Sequence, residues 1–388
     1  MAVLDDGLFV RTQTGELRPL AATFNRFVEA VAATGAFERV RYIVPVRRLR
    51  EWEVEPALDP VDESLLEVVP TAWFSGIADY VLRAPLLYQR NRRPIHSAVA
   101  ESDLLWLRLP ASNALIALRA ARQHGVAHFG WVAGSAAGVA RSSRRPVGVG
   151  GVAAIVGEAY DRVTRMVGRS GALIELDQDL FASVVTGRDI AEVEAVADVQ
   201  GGGPTRIVWA GRMVGEKGLL DLIDAIYAVM SAGTDISLVL IGDGPARASV
   251  LQAAARLPAD RLEEYGYVGD RSAFMSLLRG CDIFASPSHS EGLPKTLVEA
   301  MAAGLAVIAT DTGASRRVLA DGERGVVVPV GDVPALCAAI ASLIDEPAQR
   351  QRLALAGLRW AKDHTADAQA RRLINRLRNE FPGLNWVG

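Results

Sequence analysis

The 388-residue sequence predicts an α/β protein of two domains, each built around a parallel β-sheet. Apolar, β-branched runs of about five to eight residues alternate with segments of helical periodicity, and this alternation occurs twice along the chain. Residues 200–204, which are rich in glycine and end in proline, interrupt the pattern once. Because alternating strands and helices build parallel sheets, we expect one domain over residues 1–200 and a second over residues 201–388.

Each expected strand is a short apolar run followed by a helical segment. In the first half these runs are residues 7–12, 40–46, 65–70, 103–109, 128–133 and 172–177. In the second half they are residues 206–210, 237–241, 264–268, 283–287, 306–310 and 325–329. Two more helices are expected over residues 347–363 and 367–380, and the second is amphipathic.

Composition and charge indicate the general class of the protein and argue against nucleic-acid binding and a metal site. Half of the residues are hydrophobic and 22% are charged, which is typical of a soluble globular protein. The formal charge of −3 argues against nucleic-acid binding by the whole molecule. Cys281 and Cys337 match no metal-ligand spacing, so we expect a cytoplasmic protein without a metal. No signal peptide or membrane-spanning stretch is recognised, and any membrane contact would be peripheral.

Residues 81–150 are strongly basic, although the whole chain is not. This window contains ten arginines and only two acidic residues, Glu101 and Asp103, so its formal charge is +8. The arginines are Arg83, Arg90, Arg92, Arg93, Arg108, Arg119, Arg122, Arg141, Arg144 and Arg145. Two interpretations remain open, a solvated face and a surface for anionic partners such as a membrane.

The segment 288–299 follows a predicted strand and carries the most informative polar residues. Parallel sheets bind ligands at the carboxyl ends of their strands. Pro294 suits the first position of a helix, so the amides of residues 295–297 should point from its amino end, where the helix dipole attracts phosphate. Glu291 precedes this end, and Glu299 lies about 7.5 Å along the axis. A phosphorylated ligand could contact both carboxylates.

Two turns after neighbouring strands carry further phosphate-binding features. Residues 211–218 read Gly-Arg-Met-Val-Gly-Glu-Lys-Gly, in which Arg212 and Lys217 could clamp a diphosphate. Residues 242–245 read Gly-Asp-Gly-Pro, whose glycines would let the backbone approach a ligand closely. We therefore expect three strand ends to converge on one anion.

Residues 205–363 resemble the nucleotide-sugar domain of the retaining glycosyltransferases of family 4. Glu291 and Glu299 match that family's two glutamates separated by seven residues, and both glycine turns match its companion motifs. The resemblance implies the GT-B fold, with two facing Rossmann-like domains and parallel sheets. Residues 1–200 would bind the acceptor and residues 201–388 the donor, while a C-terminal helix at about 365–381 would cross back to the first domain.

The resemblance also implies roles for individual residues. Glu299 would hold the ribose hydroxyls of the nucleotide, Arg212 and Lys217 the diphosphate, and Glu291 the donor sugar. Glu291, Arg212 and Lys217 would be catalytic. The other donor-binding positions would be Gly15, Gly211, Gly242, Gly244, Gly292, Leu293, Pro294 and Thr296.

The implied reaction transfers a sugar, with retention, from a UDP- or GDP-sugar to a hydroxyl of a glycan or lipid-linked acceptor. Such a reaction would belong to the synthesis of cell-surface polysaccharides or glycoconjugates. In the family's proposed chemistry the donor phosphate accepts the proton of the acceptor, so no protein nucleophile, metal or cofactor is expected.

The first half departs from the family pattern. Residues 12–16 read Thr-Gln-Thr-Gly-Glu where many members have a Gly-Gly-x-Glu loop, which leaves Gly15 alone to approach a phosphate. Ala133 stands where a histidine is common. Arg108, at a strand end, could line the acceptor site or form a structural ion pair. The alternatives are a non-catalytic subunit that binds a sugar nucleotide and, with less support, a 2-epimerase.

Overall fold

The computed structural model describes residues 1–20, 24–56, 58–75, 77–132, 158, 162–175, 180–194, 203–291 and 294–387. The chain forms two compact units. The first comprises Met1–Ala182 together with Gln369–Gly388, and the second comprises Ser183–Ala368. The division lies at residue 182, before the glycine-rich segment 200–204, because the residues just after it already contact the second unit.

The first unit is built on an eight-stranded sheet. Its strands are β1 (Ala2–Leu4), β2 (Phe9–Arg11), β3 (Leu17–Pro19), β4 (Arg41–Arg48), β5 (Glu67–Ala72), β6 (Leu104–Leu109), β7 (Ala127–Val132) and β8 (Ala172–Glu175). Six parallel strands lie side by side in the order β5-β4-β1-β6-β7-β8. When these six are numbered by their order along the chain, the sheet order is 3-2-1-4-5-6. This is the doubly wound Rossmann order.

The start of this sheet differs from the prediction. The expected first strand, residues 7–12, corresponds to β2, which forms an antiparallel hairpin with β3 and runs beside the end of β4. The first strand of the Rossmann order is instead the three-residue β1, whose side chains are buried. Asp5, Asp6 and Gly7 interrupt the apolar run directly after β1, so its periodicity was too short to recognise.

Helices cover the first sheet and enclose an aromatic core. They are α1 (Phe24–Ala33), α2 (Ile77–Leu82), α3 (Ala84–Ala100) and α4 (Ala114–His124), and residues 162–170 are also helical. Phe24 and Phe27 of α1 pack edge-on against Trp106, which stacks on Phe129 of β7. Aromatic side chains bury large areas, and these contacts hold α1 on the sheet.

The second unit has a six-stranded sheet of parallel strands. Its strands are β9 (Thr205–Ala210), β10 (Ile236–Ile241), β11 (Leu262–Glu264), β12 (Ile283–Ser286), β13 (Ala306–Thr310) and β14 (Val326–Val328). They lie in the order β11-β10-β9-β12-β13-β14, again 3-2-1-4-5-6. The predicted strands are confirmed except for residues 264–268, which share only Glu264 with β11. Gly266, inside the predicted range, adopts a φ of 61°, which is not extended backbone.

The helices of the second unit pack on both faces of this sheet. They are α5 (Gly187–Glu194), α6 (Leu219–Ser231), α7 (Arg247–Ala254), α8 (Arg271–Arg279), α9 (Lys295–Ala302), α10 (Ser315–Val318), α11 (Val333–Asp345) and α12 (Pro347–Asp363). The bounds of α12 agree with the prediction. In the described part of the chain, no helix is long and apolar enough to cross a membrane.

The last helix, α13 (Ala366–Glu380), supplies its apolar face to the first unit. Its side chains Ala370, Leu373, Ile374 and Leu377 belong to the core around Trp106. The buried Gln369 side chain accepts a hydrogen bond from the Phe181 amide at 3.1 Å. The C-terminal segment is therefore an integral part of the first unit.

We expect Leu373→Ala to lower the free energy of unfolding by about 2–5 kcal/mol, because it leaves a cavity beneath α13. Leu373 is 0% exposed. Urea denaturation measures the change, and Arg376→Ala, on the exposed face of the same helix, is the matched control. Equal stability of the two variants would contradict the packing role of α13.

Candidate functional site

The candidate site lies at the carboxyl ends of β9 and β12. These neighbouring strands are the point at which the strand order of the second sheet reverses, since the chain proceeds from β9 to β10 on one side and from β12 to β13 on the other. Loops diverge at such a switch point and leave a crevice for a ligand. The turns at residues 211–218 and 288–294 both begin here.

Glycines allow the turns after β9 and β10 to pack backbone against backbone. A Cβ on Gly242 would lie 1.8 Å from the carbonyl oxygen of Gly211, and one on Gly244 would lie 2.4 Å from that of Met213. The Gly211 amide donates to Ile241 O at 3.0 Å, and the Met213 amide donates to Asp243 O at 2.8 Å. The close approach expected between these glycines and a ligand is thus made to the protein's own backbone.

A second pair of contacts joins the turn after β9 to the loop after β12. Gly218 has a φ of 64°, and a Cβ there would lie 2.0 Å from the carbonyl oxygen of Pro287. The His289 amide donates to Glu216 O at 2.8 Å. The imidazole of His289 bonds Asp221 of α6 at 2.7 Å. The structure therefore brings the three predicted turns together.

Lys217 and Glu291 form an ion pair across this junction. The Lys217 ammonium donates to Oε1 of Glu291. The buried hydroxyl of Ser288 donates to the same oxygen at 3.2 Å. Both partners of the pair are largely shielded from water, which strengthens their attraction. A cation and an anion are thus held side by side at the switch point.

Arg212 differs from Lys217 because its side chain is exposed. Within the described residues no carboxylate pairs with its guanidinium. Its peptide carbonyl accepts a hydrogen bond from the Val214 amide at 2.9 Å, which tightens the turn. The guanidinium is therefore available to an anionic ligand.

Helix α9 begins one residue later than predicted. Pro294 is the capping residue, with φ −75° and ψ 100°, and the helix itself starts at Lys295. The Leu297 amide donates to Pro294 O at 3.1 Å, so it is not offered to a ligand as expected. Thr296 is half-buried in the first turn. Gly292 and Leu293, both predicted to bind the donor, lie outside the described residues.

The carboxylate of Glu299 is bonded to Arg271, a contact that the sequence did not predict. Nη1 of Arg271 donates to Oε1 of Glu299, and Nη2 donates to Asp189 at 3.1 Å. Burial acts to lower the pKa of Arg271, but Glu299 and Asp189 outweigh it, so the pKa is raised. An arginine in the first turn of α8 opposes the helix dipole. This unfavourable placement is the feature of the sequence that could have indicated an anionic partner for Arg271.

In the first unit, Arg108 takes part in a buried network at the ends of β1 and β6. Its guanidinium donates to Oδ1 of Asp5 at 2.7 Å and lies 4.5 Å from the ring centre of Phe24. The Tyr42 hydroxyl donates to the other oxygen of Asp5 at 2.6 Å. Of the two interpretations of Arg108, the structure contains the ion pair. The cation still keeps a partly exposed edge.

Two further residues of the first unit differ from expectation. Gly15 lies in the turn of the β2–β3 hairpin, where its carbonyl accepts from Arg11 at 2.7 Å, and not directly after the first parallel strand. Asp6 was not predicted as a site residue, although it lies two residues after β1. Burial raises the pKa of Asp6 to about 6, and hydrogen bonding with Ser112 only partly offsets this. Ala133 lies outside the described residues.

Comparison with known proteins finds sequence matches within the second unit. A family model for glycosyl transferases of group 1 matches residues 204–346. A phosphatidyl-myo-inositol mannosyltransferase of Mycobacterium leprae is 37% identical over 142 residues, which cover 36% of this chain and 37% of the relative. A glycogen synthase of Mycobacterium tuberculosis is 29% identical over 174 residues, covering 43% and 42% of the two chains. The chain thus spans well under half of the length of these relatives.

The fold likeness extends further than the sequence likeness. A sucrose-phosphate synthase from Thermosynechococcus elongatus superposes with a TM-score of 0.66 and covers 99% of each chain at 18% identity. Both units are therefore included in the match. The chain has the GT-B fold, and its residues 204–346 match the family model for glycosyl transferases of group 1.

Proposed function

We propose that this protein is a retaining glycosyltransferase that moves a sugar from a UDP- or GDP-sugar to a hydroxyl of a glycan or lipid-linked acceptor. The observation that carries the proposal is the pairing of Lys217 with Glu291 at the switch point of a group 1 glycosyl transferase domain. The name of the mannosyltransferase relative supports a lipid-linked acceptor. The corresponding setting is the cytoplasmic synthesis of cell-surface polysaccharide or glycoconjugate.

In this proposal the donor lies along the loops that meet at β9 and β12. Glu299 accepts hydrogen bonds from the ribose hydroxyls, and the amino end of α9, with Thr296, faces the diphosphate. Arg212 and Lys217 bind the phosphate oxygens. Glu291 accepts hydrogen bonds from the hydroxyls of the sugar, because its contact with Lys217 holds the carboxylate beside the diphosphate.

The reaction breaks the bond between the anomeric carbon and the diphosphate, and forms a bond from that carbon to the acceptor oxygen on the same face. The acceptor proton passes to the departing phosphate. Negative charge grows on the diphosphate as the bond breaks, and Arg212 and Lys217 are placed to stabilise it. The positive charge that a metal would supply elsewhere is provided here by these two side chains and the α9 amino end.

The acceptor is assigned to the first unit, where Arg108 offers a cation at the ends of its parallel strands. The ion pair with Asp5 fixes the guanidinium, and its partly exposed edge can meet a polar or anionic group of the acceptor. A phosphate of a lipid-linked acceptor fits such a group by charge.

We also propose that α2 and α3 hold the protein on an anionic membrane. Leu82 of α2 is 83% exposed, and Val81, Leu86 and Tyr88 are exposed beside it. The next turns of α3 expose the arginines Arg90, Arg92 and Arg93. Apolar side chains followed by arginines are typical of surfaces that lie on membranes. Arg141, Arg144 and Arg145 of the basic window lie outside the described residues.

The first test is nucleotide binding by Glu299→Ala. A thermal-shift panel of UDP, GDP and ADP should identify one ligand, which at 100 times its dissociation constant stabilises the protein by about 2.7 kcal/mol. We expect Glu299→Ala to weaken that ligand by roughly 10- to 150-fold, since the ribose loses a charged acceptor. Glu323→Ala, at an exposed carboxylate, is the control. Binding by the wild type without sugar transfer or donor hydrolysis would favour the non-catalytic subunit.

The second test is turnover by Arg212→Ala and Lys217→Ala. Each should lose about 100- to 1000-fold in kcat, because each removes a charge that acts mainly in the transition state. Steady-state kinetics with the donor identified above measure the effect, and the exposed Arg352→Ala is the matched control. A rise in KM alone, with kcat unchanged, would remove both side chains from leaving-group stabilisation.

The third test is co-sedimentation with vesicles of phosphatidylglycerol and phosphatidylcholine. Binding at low salt should fall at high salt, and replacing Arg90, Arg92 and Arg93 by glutamine should weaken it about 100-fold, at about 1 kcal/mol for each arginine. Arg352→Ala serves again as the control. Salt-independent binding, or none at low salt, would exclude the membrane contact and leave the transferase proposal standing.

A further inference from the structure

The guanidinium of Arg271 lies between two carboxylates that come from different helices. It bonds Glu299 of α9 on one side and Asp189 of α5 on the other, at 3.1 Å in the second case. The three side chains are only 15%, 10% and 9% exposed. One buried cation therefore connects the proposed ribose-binding carboxylate to a second buried anion.

Asp189, the second of these carboxylates, is held in place by Thr186. Asp189 accepts hydrogen bonds from the amide of Thr186 at 2.8 Å and from its hydroxyl at 3.0 Å. Its own amide donates to the Thr186 hydroxyl at 3.3 Å. These reciprocal bonds form a cap at the start of α5. The Thr186 bonds hold the Asp189 carboxylate independently of Arg271. The guanidinium that bonds this carboxylate therefore has a defined position and plane.

The other carboxylate bonded to Arg271 is that of Glu299, in the second turn of α9. A carboxylate shielded from water on the second turn of α9 loses most of its hydration, and an opposite charge must replace it. Arg271 supplies that charge through Oε1 of Glu299. An ionised carboxylate has several acceptor positions, so one bond to a guanidinium leaves others for hydroxyl groups.

We propose that Arg271 is a positioning residue for ribose recognition, holding the Glu299 carboxylate in one orientation while Asp189 fixes Arg271. The inference depends on the proposed function in one respect, namely that Glu299 receives the ribose hydroxyls. It adds that the preference of the protein for a ribose with both hydroxyls comes from three side chains and not from Glu299 alone.

The experiment measures the binding of UDP and GDP, and of their 2′,3′-dideoxy counterparts, by calorimetry on the full chain. The wild type should prefer the ribonucleotide by roughly 10- to 150-fold. Arg271→Met should reduce this preference to less than about threefold, with the affinity for the dideoxynucleotide unchanged. Arg271→Lys should recover part of the preference, since it restores the charge but not the two-sided geometry.

Two more variants separate positioning from folding. In the Glu299→Gln background, Arg271→Met should cause no further loss of preference, because the two residues act on the same hydroxyls. Asp189→Asn, which keeps the cap of α5, should lower the preference by about three- to tenfold. It also serves as the test if Arg271→Met does not fold, as judged by its circular dichroism.

The outcomes distinguish the inference from the function on which it rests. If Arg271→Met, or Asp189→Asn in its place, keeps the wild-type preference or weakens both nucleotides equally, Arg271 does not act through the ribose. In that case the proposed function stands and the positioning role falls. If the wild type binds neither nucleotide, both fall together.

Discussion

The close approach of three backbone segments is the constraint on which the candidate site depends. Gly242 lies against Gly211, and Gly218 lies against Pro287, at distances that no side chain could occupy. Parallel strands deliver these segments to one edge of the sheet, but their loops could diverge freely from there. The glycine contacts remove that freedom and hold Lys217 beside Glu291.

This constraint also explains the electrostatic state of the site. The two glutamates that the motif singles out are each neutralised by a cation, Glu291 by Lys217 and Glu299 by Arg271. Carboxylates this shielded from water would be costly without such partners. Arg212 is exposed, whereas Lys217 and Arg271 are largely shielded from water. Under the proposed function, Arg212 is the cation that meets the diphosphate without first giving up a carboxylate partner.

Sequence periodicity predicted most of the fold because strands and helices that are buried in a parallel sheet have a recognisable pattern of apolar residues. The strands of the second unit and helix α12 were recognised in this way. β1 was missed since three residues carry too little periodicity. The Arg271–Glu299 contact was missed for a different reason. Its partners lie 28 residues apart on separate helices, and only the packed fold brings them together.

The two arginines at strand ends show what a motif can and cannot establish about a site. Leu4 of β1 is paired in register with Leu107 of β6, so the next position along each strand brings Asp5 beside Arg108. The sheet itself therefore creates that ion pair. Arg212 lies beyond the end of β9, in a turn whose shape is set by glycines, and no register imposes a partner on it. The position of an arginine relative to the last ladder residue thus decides whether its charge is neutralised within the fold or remains for a ligand.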